Sequence, residues 1–438
     1  MNILIQNGRV IDPASGFDHT ADVAVADGHI VAIAKTGEKL PANFKTEHTI
    51  DAKGCIVAPG LVDLQVRLRE PGHEHEGMLA SELTAAVAGG VTSLVCPPDT
   101  DPVLDEPGLV EMLKFRAEKL HCARVFPLGA LTRGLKGEVL TEMSDLTDAG
   151  CVGFSQAEVP LENTQVLQRA LQYAATFGYT VWLRPQEMHL GKGVAASGPL
   201  ATRLGLGGVP VAAETIALHT IFALMRSTKA RVHLCRISSA EGVELVRAAK
   251  KEGLAVTADV SINSLHLSDH DIGYFDSRAR VTPVLRQQRD RDALRAALAD
   301  GTIDVLVSDH TPVDVDAKAL PFAEAESGAT GLELLLSLSL KWANDSKVSM
   351  LRALEVLTSQ PAKVLGKIEG QSESMGQLHV GGVADLVVFD PTVEWHVTPD
   401  ALHSQGKHTP FAFDMTGMSL PARVKATLVA GRMVYQAA

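Results

Sequence analysis

Residues 61–96 read LVDLQVRLREPGHEHEGMLASELTAAVAGGVTSLVC. An apolar run, Leu61–Val66, opens the stretch; a polar loop follows; Met78–Ala88 repeats apolar residues at helical spacing; Val91–Cys96 is a second apolar run. This is the pattern of a strand, a crossover helix and a second, parallel strand. The alternation continues outward. Further apolar runs at Ala123–Leu128, Cys151–Phe154, Thr180–Leu183, Arg231–Cys235, Ala255–Ala258 and Ile303–Val307 bring the number to eight. Amphipathic stretches at Glu106–Leu120, Thr164–Phe177, Ala240–Glu252 and Arg289–Leu298 lie between them. Runs that are apolar throughout suit strands buried on both faces. Eight such units predict an α/β fold, a (β/α)8 TIM barrel over residues 59–377. Barrels of this kind carry their chemistry at the C-terminal ends of the strands, so candidate residues are sought there.

The two ends of the chain read differently. In residues 1–58, Asn2–Gln6, Asp22–Ala26 and Ile30–Ala34 are short strands separated by turn residues at Asn7-Gly8, Asp12-Pro13 and Asp27-Gly28. In residues 378–438 the strands are Asp385–Phe389, Arg423–Val429 and Arg432–Tyr435, the last two joined at Ala430-Gly431. Together they predict a small β-sandwich domain built from both chain termini. The 438 residues are 46% apolar and 21% charged, with a net charge of −12. That charge and the lack of a basic run argue against a nucleic-acid partner. No stretch of 18 apolar residues suggests a membrane span, and the start lacks the basic and apolar segments of a secretory leader, so a cytoplasmic protein is expected. The five cysteines, Cys55, Cys96, Cys122, Cys151 and Cys235, are widely spaced among apolar residues and read as reduced core thiols.

Three strand ends hold distinctive polar groups. The first reads Asp63-Leu64-Gln65-Val66-Arg67-Leu68-Arg69-Glu70-Pro71-Gly72, the second Pro97-Pro98-Asp99-Thr100-Asp101-Pro102, the eighth Asp309-His310-Thr311-Pro312-Val313. These segments resemble the dihydroorotases of the amidohydrolase superfamily, whose corresponding signatures are Asp-x-His-x-His-Leu-Arg-Glu-Pro-Gly, Pro-Asn-Thr-x-Pro and Asp-His-Ala-Pro-His. The resemblance extends to the tail, through Gly381–Val387 and Ser404–Phe411. It implies a metal site whose ligand positions fall here on Gln65, Arg67, Gln156, Arg184, Arg236 and Asp309. A histidine pair two residues apart on one strand points to one side and reaches one metal. Gln65 and Arg67 stand in that pair's place, and a guanidinium has no lone pair to give. Gln156 stands where the family has a bridging carboxylate, with Glu158 expected to face elsewhere. Arg184 and Arg236 stand where the fifth and sixth strands carry histidines. Asp309 alone keeps the family's residue. On the substrate side the resemblance implies Arg69, kept, and Asp99 and Val313, altered; Asp99 is expected to repel a carboxylate. The family's segment after the seventh strand falls on Ile262-Asn263-Ser264.

From these departures the sequence is expected to hold no metal and no cofactor and not to be an enzyme: without metal there is no activated water. The resemblance then implies a structural subunit, since non-catalytic dihydroorotase-like chains assemble with the aspartate transcarbamoylase catalytic subunit in pyrimidine synthesis; a homo-oligomer is also expected. Two other readings are an amidohydrolase with a rearranged, metal-poor site acting on a cyclic amide, and a sensor whose arginines bind an acidic metabolite. Asp309 is expected to be a counter-ion to Arg67, Arg184 or Arg236. His73 and His75, with Glu74 and Glu76, read as a solvated loop. His310 and His233 read as core residues, His233 without a predictable partner.

Overall fold

The computed structural model describes residues 2–42, 44–368, 374–412 and 417–437; Met1 and Ala438, the outermost residues of the expected sandwich halves, lie outside it. Among these residues the eight expected strands form a parallel ring: Leu61–Asp63, Val91–Cys96, Arg124–Pro127, Phe154–Ser155, Thr180–Leu183, Arg231–Leu234, Val256–Ser261 and Val305–Val307. Neighbours pair in register around the ring. Gly129–Ala130 continues the third strand and pairs with the fourth. A parallel bridge between Val66 and His310 closes the ring between the first and last strands. The fourth strand starts later than its apolar run suggests. The Cys151 N–H bonds Leu146 O at 2.9 Å, closing off the preceding helix, so contact with the third strand begins at Val152, whose N–H bonds Pro127 O at 3.0 Å, and pairing with the fifth strand begins at Phe154.

The helices sit where apolar spacing puts them. Thr164–Phe177 is capped by Asn163, which accepts from the Gln165 and Val166 amides, and ends at Gly178 in the left-handed conformation. Ala240–Glu252 is capped by Ser239 and ends the same way at Gly253. Their buried faces, Val166, Leu167, Ala170, Leu171 and Ala174 on one and Val243, Val246 and Ala249 on the other, join the main core around the barrel.

Strands from both chain ends share one eight-stranded sheet, so the two ends form a single β-sandwich domain. Ile56–Pro59 is the seam: it runs parallel to Ile3–Asp12 and antiparallel to Leu386–His396. A separate core of Ile3, Ile5, Val23, Val25, Leu386, Val388 and Leu428 lies within this domain. The Asn7-Gly8 pair is not the expected turn. The strand runs on from Ile3 to Asp12 with a bulge between Ile5 and Gly8. Asn7 takes φ +65° there, and a Cβ on Gly8 would meet Val57 Cγ2 at 2.6 Å. Arg124 of the third barrel strand pairs with Asp385 and docks this domain on the barrel.

One buried polar network ties the barrel to the tail. Glu82, on the helix Leu79–Ala88, is fully buried. Its carboxylate accepts from His310 Nε2 at 2.8 Å, Ser404 Oγ at 2.6 Å and the Gln405 amide at 2.9 Å. The other ring nitrogen of His310 accepts from the Gly331 amide at 3.2 Å, so the proton sits on Nε2. Both histidine nitrogens are therefore satisfied. Burial raises the Glu82 pKa, but His310, Ser404 and the Gln405 amide together outweigh it and the net direction is down. Glu82→Ala should cost about 3–5 kcal/mol, because it leaves His310 and Ser404 buried and unpaired. A carboxyl with a depressed folded pKa adds stability above its unfolded value and loses it as pH falls. The cost in urea titrations should therefore be full at pH 7 and shrink below about pH 4.

Candidate functional site at the strand ends

Four non-glycine residues at the strand ends adopt positive φ: Arg69 (+64°), Ala157 (+49°), Arg236 (+57°) and Asp309 (+53°). Such conformations are uncommon for side-chain-bearing residues and concentrate where a backbone is held to aim a group. Ala157 has the largest consequence. Strand alternation would put Gln156 in the mouth and turn Glu158 away. Gln156 instead points into the loop after the third strand, accepting from Thr132 Oγ1 at 3.0 Å and donating to Leu135 O at 2.8 Å. The left-handed residue between them breaks the alternation, and Glu158 enters the mouth.

Glu158 is the hub that the sequence reading misplaced. It meets Arg67 of the first strand at 2.9 Å, Arg184 of the fifth at 2.5 Å, and Arg236 of the sixth more closely still. Burial pushes its carboxyl pKa up, but Arg236, Arg184 and Arg67 together hold it far below the usual carboxylate range. Arg67 is nearly buried and also donates to Asp99 Oδ2 at 2.9 Å and Thr311 Oγ1 at 3.1 Å. Asp99 therefore neutralises a neighbouring guanidinium, a partner the sequence reading did not give it.

Asp309 pairs with Arg236 Nη1 at 3.0 Å, one of the three partners anticipated for it. Its carboxyl is nevertheless raised to about 6: burial dominates, and Arg236 and Arg67 offset it only in part. Glu158, not Asp309, is the main counter-ion of the cluster. Arg69 is engaged by two carboxylates, Glu76 at 2.8 Å and Glu326 at 3.2 Å, and donates to Pro312 O at 2.8 Å. Val313 is buried, and Gln65 is buried beside the first strand. Ile262-Asn263-Ser264 lies in a short buried helix, Ile262–His266. The loop with His73 and His75 is only partly solvated, because Glu76 is buried against Arg69.

The donor set at the strand ends does not fit a divalent metal. Arg67, Arg184 and Arg236 place three cationic groups there, and the carboxylates that could coordinate, Glu158 and Asp309, are already paired with them. A different group lies inside the barrel. His233, Cys235 and Asp259 bring one potential ligand atom each within 4.8 Å of one another, all buried. His233 has the partners the sequence did not reveal: Nδ1 lies 2.8 Å from Thr257 Oγ1 and Nε2 lies 2.9 Å from Asp259 Oδ2. Burial pushes the Cys235 thiol well above its ordinary pKa. An ion there would have to displace the His233–Asp259 contact and ionise that thiol.

The two counter-ions should respond differently to neutralisation. Glu158→Gln leaves three buried guanidiniums facing one another and should cost about 3–5 kcal/mol in a urea titration at pH 7. Asp309→Asn keeps an oxygen for Arg236 and removes an unfavourably buried charge. A carboxyl with a raised folded pKa lowers stability as pH climbs from its unfolded value through about 6. The Asp309→Asn variant should match the parent at pH 4 and equal or exceed it by up to about 2 kcal/mol at pH 7. A larger loss for Asp309→Asn than for Glu158→Gln would reverse the assignment.

Residues 54–242 match the family described as dihydro-orotase-like, and residues 211–435 the amidohydrolase family. A dihydroorotase-like protein of Pseudomonas aeruginosa is 42% identical, and a protein of Geobacter sp. named dihydroorotase is 40% identical; each comparison covers 100% of both chains. The solved L-hydantoinase of Arthrobacter aurescens is 26% identical, with a TM-score of 0.86 over 99% of this chain and 96% of that one. The enzyme name is shared by further full-length relatives at 38–39% identity. These relatives, with the His233, Cys235 and Asp259 group, overturn the expectation that the chain is not an enzyme. Fold, motifs and full-length identity agree that this chain belongs to the dihydroorotase-like family of the amidohydrolase superfamily.

Proposed function

We propose that this chain serves pyrimidine synthesis as a dihydroorotase-family subunit that assembles with aspartate transcarbamoylase. The supporting observation is the ion-pair cluster centred on Glu158, which closes the strand ends with contacts internal to the chain. Residues of the first, fifth and sixth strands are thereby held as one rigid frame, the kind of preformed body that a lasting assembly favours. Full-length likeness to relatives named dihydroorotase-like, at 42–43% identity, points the same way. The reading concerns assembly and stands apart from whether the chain also hydrolyses a cyclic amide. Co-expression with the transcarbamoylase catalytic subunit should give one species on size exclusion, with higher transcarbamoylase activity than that subunit alone. Separate elution with unchanged activity would refute the reading. Light scattering on the free chain tests the expected homo-oligomer.

A second reading is favoured by one group. Asp309 lines a cavity of about 200 Å³ with Arg67, Arg69 and Arg236, and its carboxyl is raised to about 6, close to the working range of a general base. The guanidiniums beside it are suited to stabilising a developing oxyanion on a cyclic amide. Under this reading the purified chain hydrolyses dihydroorotate, and Asp309→Asn, folded and stable, lowers kcat by roughly a hundredfold or more. A background rate from the unmodified protein, with or without added zinc, removes it.

A further inference from the structure

Beyond the Glu158 cluster, toward the fifth to seventh strands, lies a second cavity of about 420 Å³. Small-molecule sites commonly occupy about 300–1,000 Å³. Its wall includes Arg184 and Arg236 from the cluster and two further arginines, Arg280 and Arg286. The carboxylates on that wall are Glu158 and Glu214, and both are already engaged. Glu158 is shared by three guanidiniums. Glu214 accepts from the backbone amides and hydroxyls of Ser238 and Ser239 at 2.5–3.1 Å.

Neither further arginine has an acidic partner among the described residues. Arg286 is buried; it donates to Ser238 Oγ at 3.1 Å and to Val209 O at 2.8 Å, both neutral acceptors. The Arg280 side chain makes no hydrogen bond or ion pair among the described residues, and its Nε is buried without a partner. Burial accordingly lowers the Arg280 pKa, with no carboxylate to offset it. Arg280 is part-buried, and even a partly buried guanidinium without a counter-ion favours an anion from outside the chain. Val194, Val209, Ala213, Pro283 and Val284 give the wall an apolar patch, beside polar Gln186, Lys192, Thr282 and Ser327.

We propose that this cavity binds a small organic anion, its carboxylate or phosphate head paired with Arg280, its compact apolar body against Val194, Val209 and Val284. The position differs from Arg69, where the family resemblance places a substrate carboxylate: Arg69 lines the neighbouring cavity and is held by Glu76 and Glu326. The test is calorimetric titration and thermal shift of the full chain with inorganic phosphate, phenyl phosphate and succinate. Phenyl phosphate should bind more tightly than inorganic phosphate, and succinate against phosphate tells which head is preferred. Arg280→Gln should melt at or above the parent temperature and bind at least roughly tenfold more weakly. If that variant is unstable, Arg280→Lys makes the same comparison, because lysine keeps the charge but loses the planar fork. No binding of any of the three probes would overturn the proposal. So would undiminished binding in the folded Arg280 variant.

Discussion

Three guanidiniums converge on one carboxylate at the mouth of this barrel, and the arrangement of the strand ends follows from that. Arg67, Arg184 and Arg236 come from the first, fifth and sixth strands and would repel one another without an anion between them. Glu158 is delivered from the fourth strand by the left-handed turn at Ala157. Each arginine then needs less from its own neighbourhood: Arg67 adds Asp99 and Thr311, Arg236 adds Asp309, and Arg184 adds Gln186. The cluster need not add net stability, because desolvation offsets much of the attraction. What it fixes is geometry, since a carboxylate shared three ways permits few positions for any of the three chains.

The wall of the mouth is asymmetric in charge. On the side of the first, second and eighth strands, acids match or outnumber bases: Asp99 serves Arg67, Glu76 and Glu326 serve Arg69, and Asp309 serves Arg236. On the side of the fifth to seventh strands, Arg286 reaches Glu214 only through Ser238, and Arg280 stands without an acid among the described residues. Protein side chains therefore satisfy one half of the mouth and leave the other half positive. A cavity that already holds its own counter-ions attracts a further anion more weakly. One that lacks them selects for anions.

The architecture was legible because it rests on periodicity. Eight apolar runs and the helices between them are repeated signals, and the caps at Asn163 and Ser239 with Gly178 and Gly253 mark two helices to the residue. The terminal strands were legible only in part: His48–Asp51 and the seam strand Ile56–Pro59, four residues each, are too short to show a period, and at Asn7-Gly8 a bulge and a turn use the same residues. The site was harder. That Gln65, Arg67, Arg184 and Arg236 occupy ligand positions followed from aligned motifs. Which way Gln156 and Glu158 point did not, because it depends on the φ angle of one alanine, and alanine carries no sequence signal for a left-handed conformation. The Arg67–Asp99 pair was within reach of sequence reasoning, since the first two strands are neighbours and the residues stand at their ends. The family motif ties Asp99 to a substrate, whereas its nearest cation stands on the adjacent strand. His233 looked solitary because its partners, Thr257 and Asp259, lie two dozen residues onward on the next strand.

The corrections at Glu158 and Asp309 share one cause. A carboxylate at a buried strand end needs a cation, and the family resemblance directs attention to the one residue it retains, Asp309. Retention in sequence does not measure electrostatic weight. Asp309 has one close guanidinium and a burial cost that its neighbours do not recover, so its proton affinity rises; Glu158 has three, and its proton affinity collapses. The two carboxylates share Arg236, so each limits what the other can gain from it. Environments that push two acids of one cavity in opposite directions separate their roles: the one that stays ionised organises the cations, and the one that titrates near neutrality is the group free to exchange a proton. Any chemistry at this mouth would therefore run through Asp309, with Glu158 holding the guanidiniums that surround it.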